Sequence, residues 1–277
     1  MEINQIIKDT NFEFKKKFGQ NFITDTNLLE SICADAGLTN ADNVLEIGVG
    51  AGTLTRALSK HAKKVVGYEI DKSLVYVLKR SLQGLNNVDV IFKDFLRETP
   101  NDVNKNFDGA YKVVANLPYY ITTNIIFRLI EKDFNVKSLT LMVQKEVAER
   151  LTATPCTKEY GTITAELNAI GDVRIARIVD RTMFEPEPNV DSAVITISFN
   201  RGKFQIDDWQ MYQKVVKSAF SMRRKTLSNC LKSSFGMTHQ NIQKLFEELF
   251  IPANARGEEL DISKFVQLSN SIKNYLI

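Results

Sequence analysis

The 277 residues are 44% apolar and 25% charged, with a formal net charge of +3, an ordinary composition for one large folded domain with a smaller one beside it. No apolar run approaches the roughly 18 residues that a membrane span needs, and the opening "MEINQIIKDTNFEFKKKFGQ" has no apolar stretch followed by a small-residue cleavage site, so no secretory signal is expected and a cytoplasmic location is. Three scattered cysteines (Cys33, Cys156, Cys230) and two histidines (His61, His239) argue against a disulfide framework and a zinc site, and the thiols are expected to be reduced and partly buried.

In chain order, the first strong strand candidate is "NVLEIGVG" (43–50), followed by the helical pattern "TLTRALSKHA". Next come "KKVVGYEI" (63–70) with the helix "KSLVYVLKRSLQ", then "NVDVIFKD" (87–94) and "YKVVANL" (111–117), then the helix "TTNIIFRLIEKD" and the strand "SLTLMVQ" (138–144). Short Val/Ile/Leu-rich runs alternating with helical spacing predict βαβ units and a parallel sheet. Two later runs, "DVRIARIVDR" (172–181) and "SAVITISF" (192–199), lie close together and predict an antiparallel edge on that sheet. Past "NRGKFQIDD" (200–208) strand patterns stop, and four amphipathic helical segments follow. The expected organisation is an α/β domain over 1–202 and a small all-helical domain over 203–277. The second is basic: residues 201–277 hold 12 Lys/Arg against 7 Asp/Glu, while the first 200 hold 24 against 26. That imbalance hints at an anionic partner.

The chemistry sits at the ends of the predicted strands. "EIGVGAG" (46–52) places Gly48, Gly50 and Gly52 between a strand and a helix, where glycine permits a tight turn and close ligand approach. The third glycine of a dinucleotide fingerprint would fall at Thr53, so a nucleoside cofactor fits better than a pyrophosphate. Glu69, 21 residues after Gly48, ends the second strand and can accept from both hydroxyls of a ribose. Asp94 ends the third and can accept from an adenine amine. Together they favour S-adenosylmethionine over NAD. The fourth strand ends in "NLPYYITT" (116–123). An aromatic exocyclic amine is a poor nucleophile because its lone pair is delocalised, and acceptors aimed at its hydrogens localise that pair. Asn116 offers a side-chain carbonyl and Leu117 and Pro118 offer backbone carbonyls, while Tyr119 offers a face on which a base can stack.

These blocks resemble the KsgA family of small-subunit ribosomal RNA adenine dimethyltransferases. The resemblance runs through "KKKFGQNFI" (15–23), "EIGVGAGTLT", "EID", "NLPYYIT", "VQKEVAERL" (143–151), "FEPEPNVDSAV" (184–194) and "AFSMRRKTLSNCL" (219–231). It implies a Rossmann-like class I methyltransferase sheet and the dimethylation of two adjacent adenosines in a loop near the 3′ end of that RNA. It further implies that Asn21 and Ile23 cover the cofactor and that Gly48, with Gly50 beside it, lies against its methionine part. Glu69 would hold the ribose, Asp94 the adenine amine, and Asn116 would face the transferred methyl. Phe184 would sandwich the target base opposite Tyr119. One departure stands out: many relatives carry Asn after "NLPY", where this chain has Tyr120.

The densest basic cluster is "MRRKT" (222–226), with Arg223, Arg224 and Lys225, and a second lies at Lys15, Lys16 and Lys17. Both are expected to meet RNA phosphates, positioning the enzyme without reading sequence. The expected partner is small-subunit RNA within an immature ribosomal particle, bound by a monomer. Three rival readings remain: a large-subunit RNA adenine dimethyltransferase conferring macrolide resistance, a non-catalytic ribosome assembly factor, and a nicotinamide oxidoreductase. The first group usually reads Ile in place of Leu117 and Asn in place of Asp191. The intact Asn116, Pro118 and Tyr119 speak against the second.

Overall fold

The computed structural model describes residues 21–131, 133–222 and 224–276. Two compact units result, one comprising the residues up to Ala148 with Arg174–Phe199, the other Glu149–Val173 with the residues from Asn200 onward.

The first unit is built on a seven-stranded sheet. A short strand β1 (Phe22–Ile23) precedes it, and the sheet begins with β2 (Asn43–Ile47), β3 (Lys64–Tyr68), β4 (Val88–Ile91), β5 (Tyr111–Asn116) and β6 (Val136–Gln144). The chain continues through β7 (Gly171–Val179), a second short strand β8 (Phe184–Glu185), and β9 (Ser192–Phe199). The spatial order is β4-β3-β2-β5-β6-β9-β7. Parallel pairing runs from β4 through β6, and the β6–β9 pair is antiparallel, with Leu141 opposite Ile195. The predicted strands and the antiparallel edge are therefore present. Val113, Val114, Leu139, Leu141 and Ile195 are fully buried, as expected for central strands covered on both faces. Helices Thr53–His61, Val75–Ser81 and Thr122–Leu129 occupy the predicted crossovers.

Several elements escaped the sequence patterns. Helix Thr26–Asp35 starts on an Asp25 side-chain cap, and Pro100–Asn104 starts on a Thr99/Asp102 capping box too short to show helical periodicity. Strands β1 and β8, two residues each, pair antiparallel with Ile23 opposite Phe184.

The second unit holds helices Thr162–Ile170, Trp209–Ala219, Leu227–Phe235, His239–Glu248 and Ile262–Ser271. The last four begin on Asp208, Thr226, Thr238 and Asp261, whose side chains accept backbone N–H groups. The boundary expected at 202 is too simple, because residues 149–173 cluster with the helices. The buried Tyr212 hydroxyl donates to the Ala165 carbonyl at 3.0 Å, and Tyr160 donates to Leu260 at 3.0 Å. The 162–170 helix is buried on nearly every side, so it carries no amphipathic stripe to be read. Cys33 and Cys230 are buried as expected, but Cys156 is exposed.

Candidate active site

From β2 the chain winds outward through β3 and β4, then returns to β5 on the other side of β2. Open α/β sheets take ligands at such a reversal, beyond the carboxyl ends of the strands. A cavity of about 240 Å³ lies there, lined by Gly48, Gly50, Glu69, Asp94, Asn116 and Tyr119 among others.

The glycine loop closes one wall. Gly48, Gly50 and Gly52 have φ of +78°, +58° and +84°, a region that L side chains enter at a cost. A Cβ on Gly50 would stand 2.8 Å from Phe22 Cε1, so the Phe22 ring from β1 lies directly on the loop. The Gly50 N–H donates to Glu69 Oε2 at 2.8 Å, and the Asp71 N–H donates to Oε1 at 2.8 Å. One carboxylate thus ties the loop after β2 to the turn after β3. Glu69 is only 5% exposed; burial pushes its pKa up, against the pull of the backbone N–H donors. A carboxylate has about four acceptor positions, so capacity remains for a sugar hydroxyl. Asp94 caps the turn at Phe95–Arg97 through Oδ1, which accepts from the Leu96 N–H at 3.0 Å, while Oδ2 lies 3.4 Å from Arg97 Nε.

Asn116 ends β5. Its Nδ2 donates to the Asn21 carbonyl at 2.8 Å, which sets the rotation of the amide and leaves Oδ1 as the acceptor. The Leu117 N–H donates to Met142 at 3.3 Å. The Pro118 carbonyl accepts from the Ile121 N–H at 3.1 Å and from Thr122 Oγ1 at 3.2 Å. Both bonds belong to the start of the next helix, which leaves this carbonyl less available to a ligand than the notion of a free backbone acceptor requires. Leu117 lines the same cavity. The Tyr119 hydroxyl and Ser192 Oγ share a hydrogen bond of 2.7 Å, and burial raises the phenol pKa.

Asn21 and Ile23 line the cavity. Phe184 does not. It is 3% exposed and packs in the core with Ile23, Val179 and Val194, holding β1 to the sheet. Its ring is thus a core side chain here, and the aromatic wall opposite Tyr119 stays an expectation. Phe184→Ala should lower stability by about 3–5 kcal/mol in a denaturant titration. Phe184→Leu should recover most of it, and a leucine variant that is stable yet inactive would support the wall assignment. Arg224 and Lys225 are exposed in the helical unit. Lys15, Lys16, Lys17 and Arg223 lie outside the described residues.

Glu46 is a further cavity residue, only 1% exposed. Its Oε2 accepts from Thr55 Oγ1 at 2.6 Å. Burial pushes its carboxyl up to about 8, with the charge of Glu69 adding to the effect, so it keeps its proton at neutral pH. Its signal in the sequence is an acid amid apolar strand residues, with a hydroxyl nine positions on. At pH below the ordinary value of 4.5 the folded and unfolded chains both hold this proton, and this group's contribution to stability is fully present. Between there and about 8 only the unfolded chain releases it, so stability falls as pH rises, by up to about 1.4 kcal/mol per pH unit. Glu46→Gln should flatten this decline in urea melts spanning that window; an unchanged pH dependence would refute the assignment.

Comparison with known proteins adds a second line of observation. The model of the family "Ribosomal RNA adenine dimethylase" matches residues 11–274. A ribosomal RNA small subunit methyltransferase A from Clostridium acetobutylicum is 40% identical over 97% of each chain. One from Clostridium botulinum strain Kyoto is 41% identical over the full length of both. Among solved structures, a dimethyladenosine transferase from Plasmodium falciparum matches with a TM-score of 0.79 at 27% identity, covering 92% of this chain and 98% of its own. The 23S rRNA methyltransferase ErmE matches with a TM-score of 0.70 at 24% identity over 91% of this chain and all of its own, a likeness of fold.

Proposed function

Because the chain belongs to the ribosomal RNA adenine dimethylase family, we infer that it dimethylates the exocyclic N6 amines of two adjacent adenosines in a loop near the 3′ end of small-subunit ribosomal RNA. The observation that carries this reading is Asn116, whose Nδ2 is engaged by Asn21 so that Oδ1 stands as an acceptor on the cavity wall.

The cavity residues suit S-adenosylmethionine. Glu69 would accept from the ribose, Asp94 from the adenine amine through its less engaged oxygen, and the Gly48–Gly50 backbone leaves room for the methionine part. Bound there, the cofactor supplies a methyl group activated by its sulfonium. Asn116 Oδ1 and the Leu117 carbonyl hold the two hydrogens of the target amine in the first transfer, and one of them holds the single remaining hydrogen in the second; drawn out of the ring plane, these hydrogens leave the nitrogen lone pair available to attack. After transfer the nitrogen is an acidic cation and loses its proton to water; a strong base is not required. Tyr119, held by Ser192, gives the base a face to lie on.

A base must leave its stack to reach this wall, at a cost of about a few kcal/mol. Stacking on an aromatic ring returns about 1–3 kcal/mol. The two nearly balance for an unpaired base, which favours a loop target. The 40% identity to small-subunit methyltransferases over nearly the whole chain supports the small subunit over the large one. We further propose that the sheet unit carries the chemistry, that the helical unit meets phosphates through Arg224 and Lys225, and that a cytoplasmic monomer acts on an immature particle.

Purified protein with labelled S-adenosylmethionine should modify immature small subunits at two adjacent adenosines, mapped by mass spectrometry. Labelling of naked large-subunit RNA instead would overturn the reading.

A further inference from the structure

The two tyrosines of "NLPYYIT" face different tasks. Residues Tyr119–Ile121 form one turn of 3₁₀ helix, in which successive side chains diverge by about 120°. The pair cannot lie against one base. Tyr119 reaches Ser192 at the start of β9, two strands from β5 on one side. On the other side β5 is followed by β2, β3 and β4, and Glu69 and Asp94 lie just past β3 and β4. Adjacent strands are about 4.8 Å apart, so these two ends of the crevice are on the order of 20 Å apart.

Tyr120 belongs to the Glu69/Asp94 end. It lines the cavity together with Ile70, Lys93 and Asp94. Burial raises its phenol pKa first, and the negative charges of Asp94 and then Glu69 raise it further. Tyr120 and Ile70 are 61% and 48% exposed, which leaves a ring and an aliphatic side chain with apolar surface uncovered beside two carboxylates. Flat apolar surfaces next to acceptors suit a purine nucleoside, whose ring wants covering and whose hydroxyls and amine want acceptors.

Resting on the reading above, we propose that Tyr120 is a cofactor-binding residue: its ring closes over the adenine of S-adenosylmethionine, while Tyr119 alone serves the target base. The chain thereby holds its cofactor with an aromatic cover at a position where Asn would offer none. The same adenosine is present in the product S-adenosylhomocysteine, so the cover acts on both forms.

The test is calorimetric binding of S-adenosylmethionine and S-adenosylhomocysteine to the full chain, its Tyr120→Ala and Tyr120→Phe variants, with affinity for immature small subunits measured in parallel. Tyr120→Ala should weaken both ligands roughly 5- to 100-fold, Tyr120→Phe should stay within about twofold because it keeps the stacking face, and affinity for the subunits should not move. Wild-type cofactor affinity in Tyr120→Ala, or a loss of subunit affinity in its place, would overturn the assignment while leaving the proposed function standing. Failure of the wild-type chain to bind either ligand would overturn both.

Discussion

Asn116→Ala should reduce the rate of methyl transfer by about 10²–10³-fold, the usual consequence of deleting one positioned dipole from a reaction centre. The side chain has two duties. Its Nδ2 donates to the Asn21 carbonyl, which fixes the amide, and in the proposed mechanism its Oδ1 is one of two acceptors for the target amine. Alanine removes the acceptor and leaves Leu117 alone to orient the nitrogen. Since the residue is only partly buried, the fold should survive, and single-turnover kinetics with saturating S-adenosylmethionine should show the loss in the chemical step. Subunit binding should persist, because the proposed phosphate contacts of Arg224 and Lys225 do not involve this amide. Equal loss of transfer and of subunit binding would contradict the separation of chemistry from docking.

Glu69→Ala should act on the cofactor. Two charge-assisted bonds to ribose hydroxyls, at about 1.5–3 kcal/mol each, translate to a weakening of S-adenosylmethionine binding by about 10²–10⁴-fold. The effect reaches beyond the ligand, because the same carboxylate receives the Gly50 and Asp71 N–H groups. Without it both donors lose their partner and the glycine loop loses its tie to the turn after β3. A lowered melting temperature should therefore accompany the lost affinity. Calorimetry decides the matter: near-normal cofactor binding in a folded Glu69→Ala protein would remove Glu69 from the ribose.

Local patterns in the chain carried much of this. Strands β2 to β6 and β9 were legible because Val, Ile and Leu runs bounded by polar turns reflect backbone sterics and burial within a few residues. Glu69, Asp94 and Asn116 stand out as candidates because polar groups at the carboxyl ends of successive strands have one crevice to share. The 162–170 helix was not legible, since a helix buried all round loses the stripe that marks it. Glu46 was passed over because a proton held at neutral pH depends on burial, which spacing does not record.

What the sequence determined by itself was the order of strands and crossovers, the placement of the glycine loop, and the acids and amide past the strand ends. Each follows from interactions among near neighbours in the chain. Tertiary structure alone decided that the Pro118 carbonyl is spent on Ile121 and Thr122 and that Phe184 lies in the core opposite Ile23. It also sent Tyr119 toward Ser192. These outcomes depend on which lone pairs and ring faces remain after distant segments pack, and no pattern along the chain encodes that remainder.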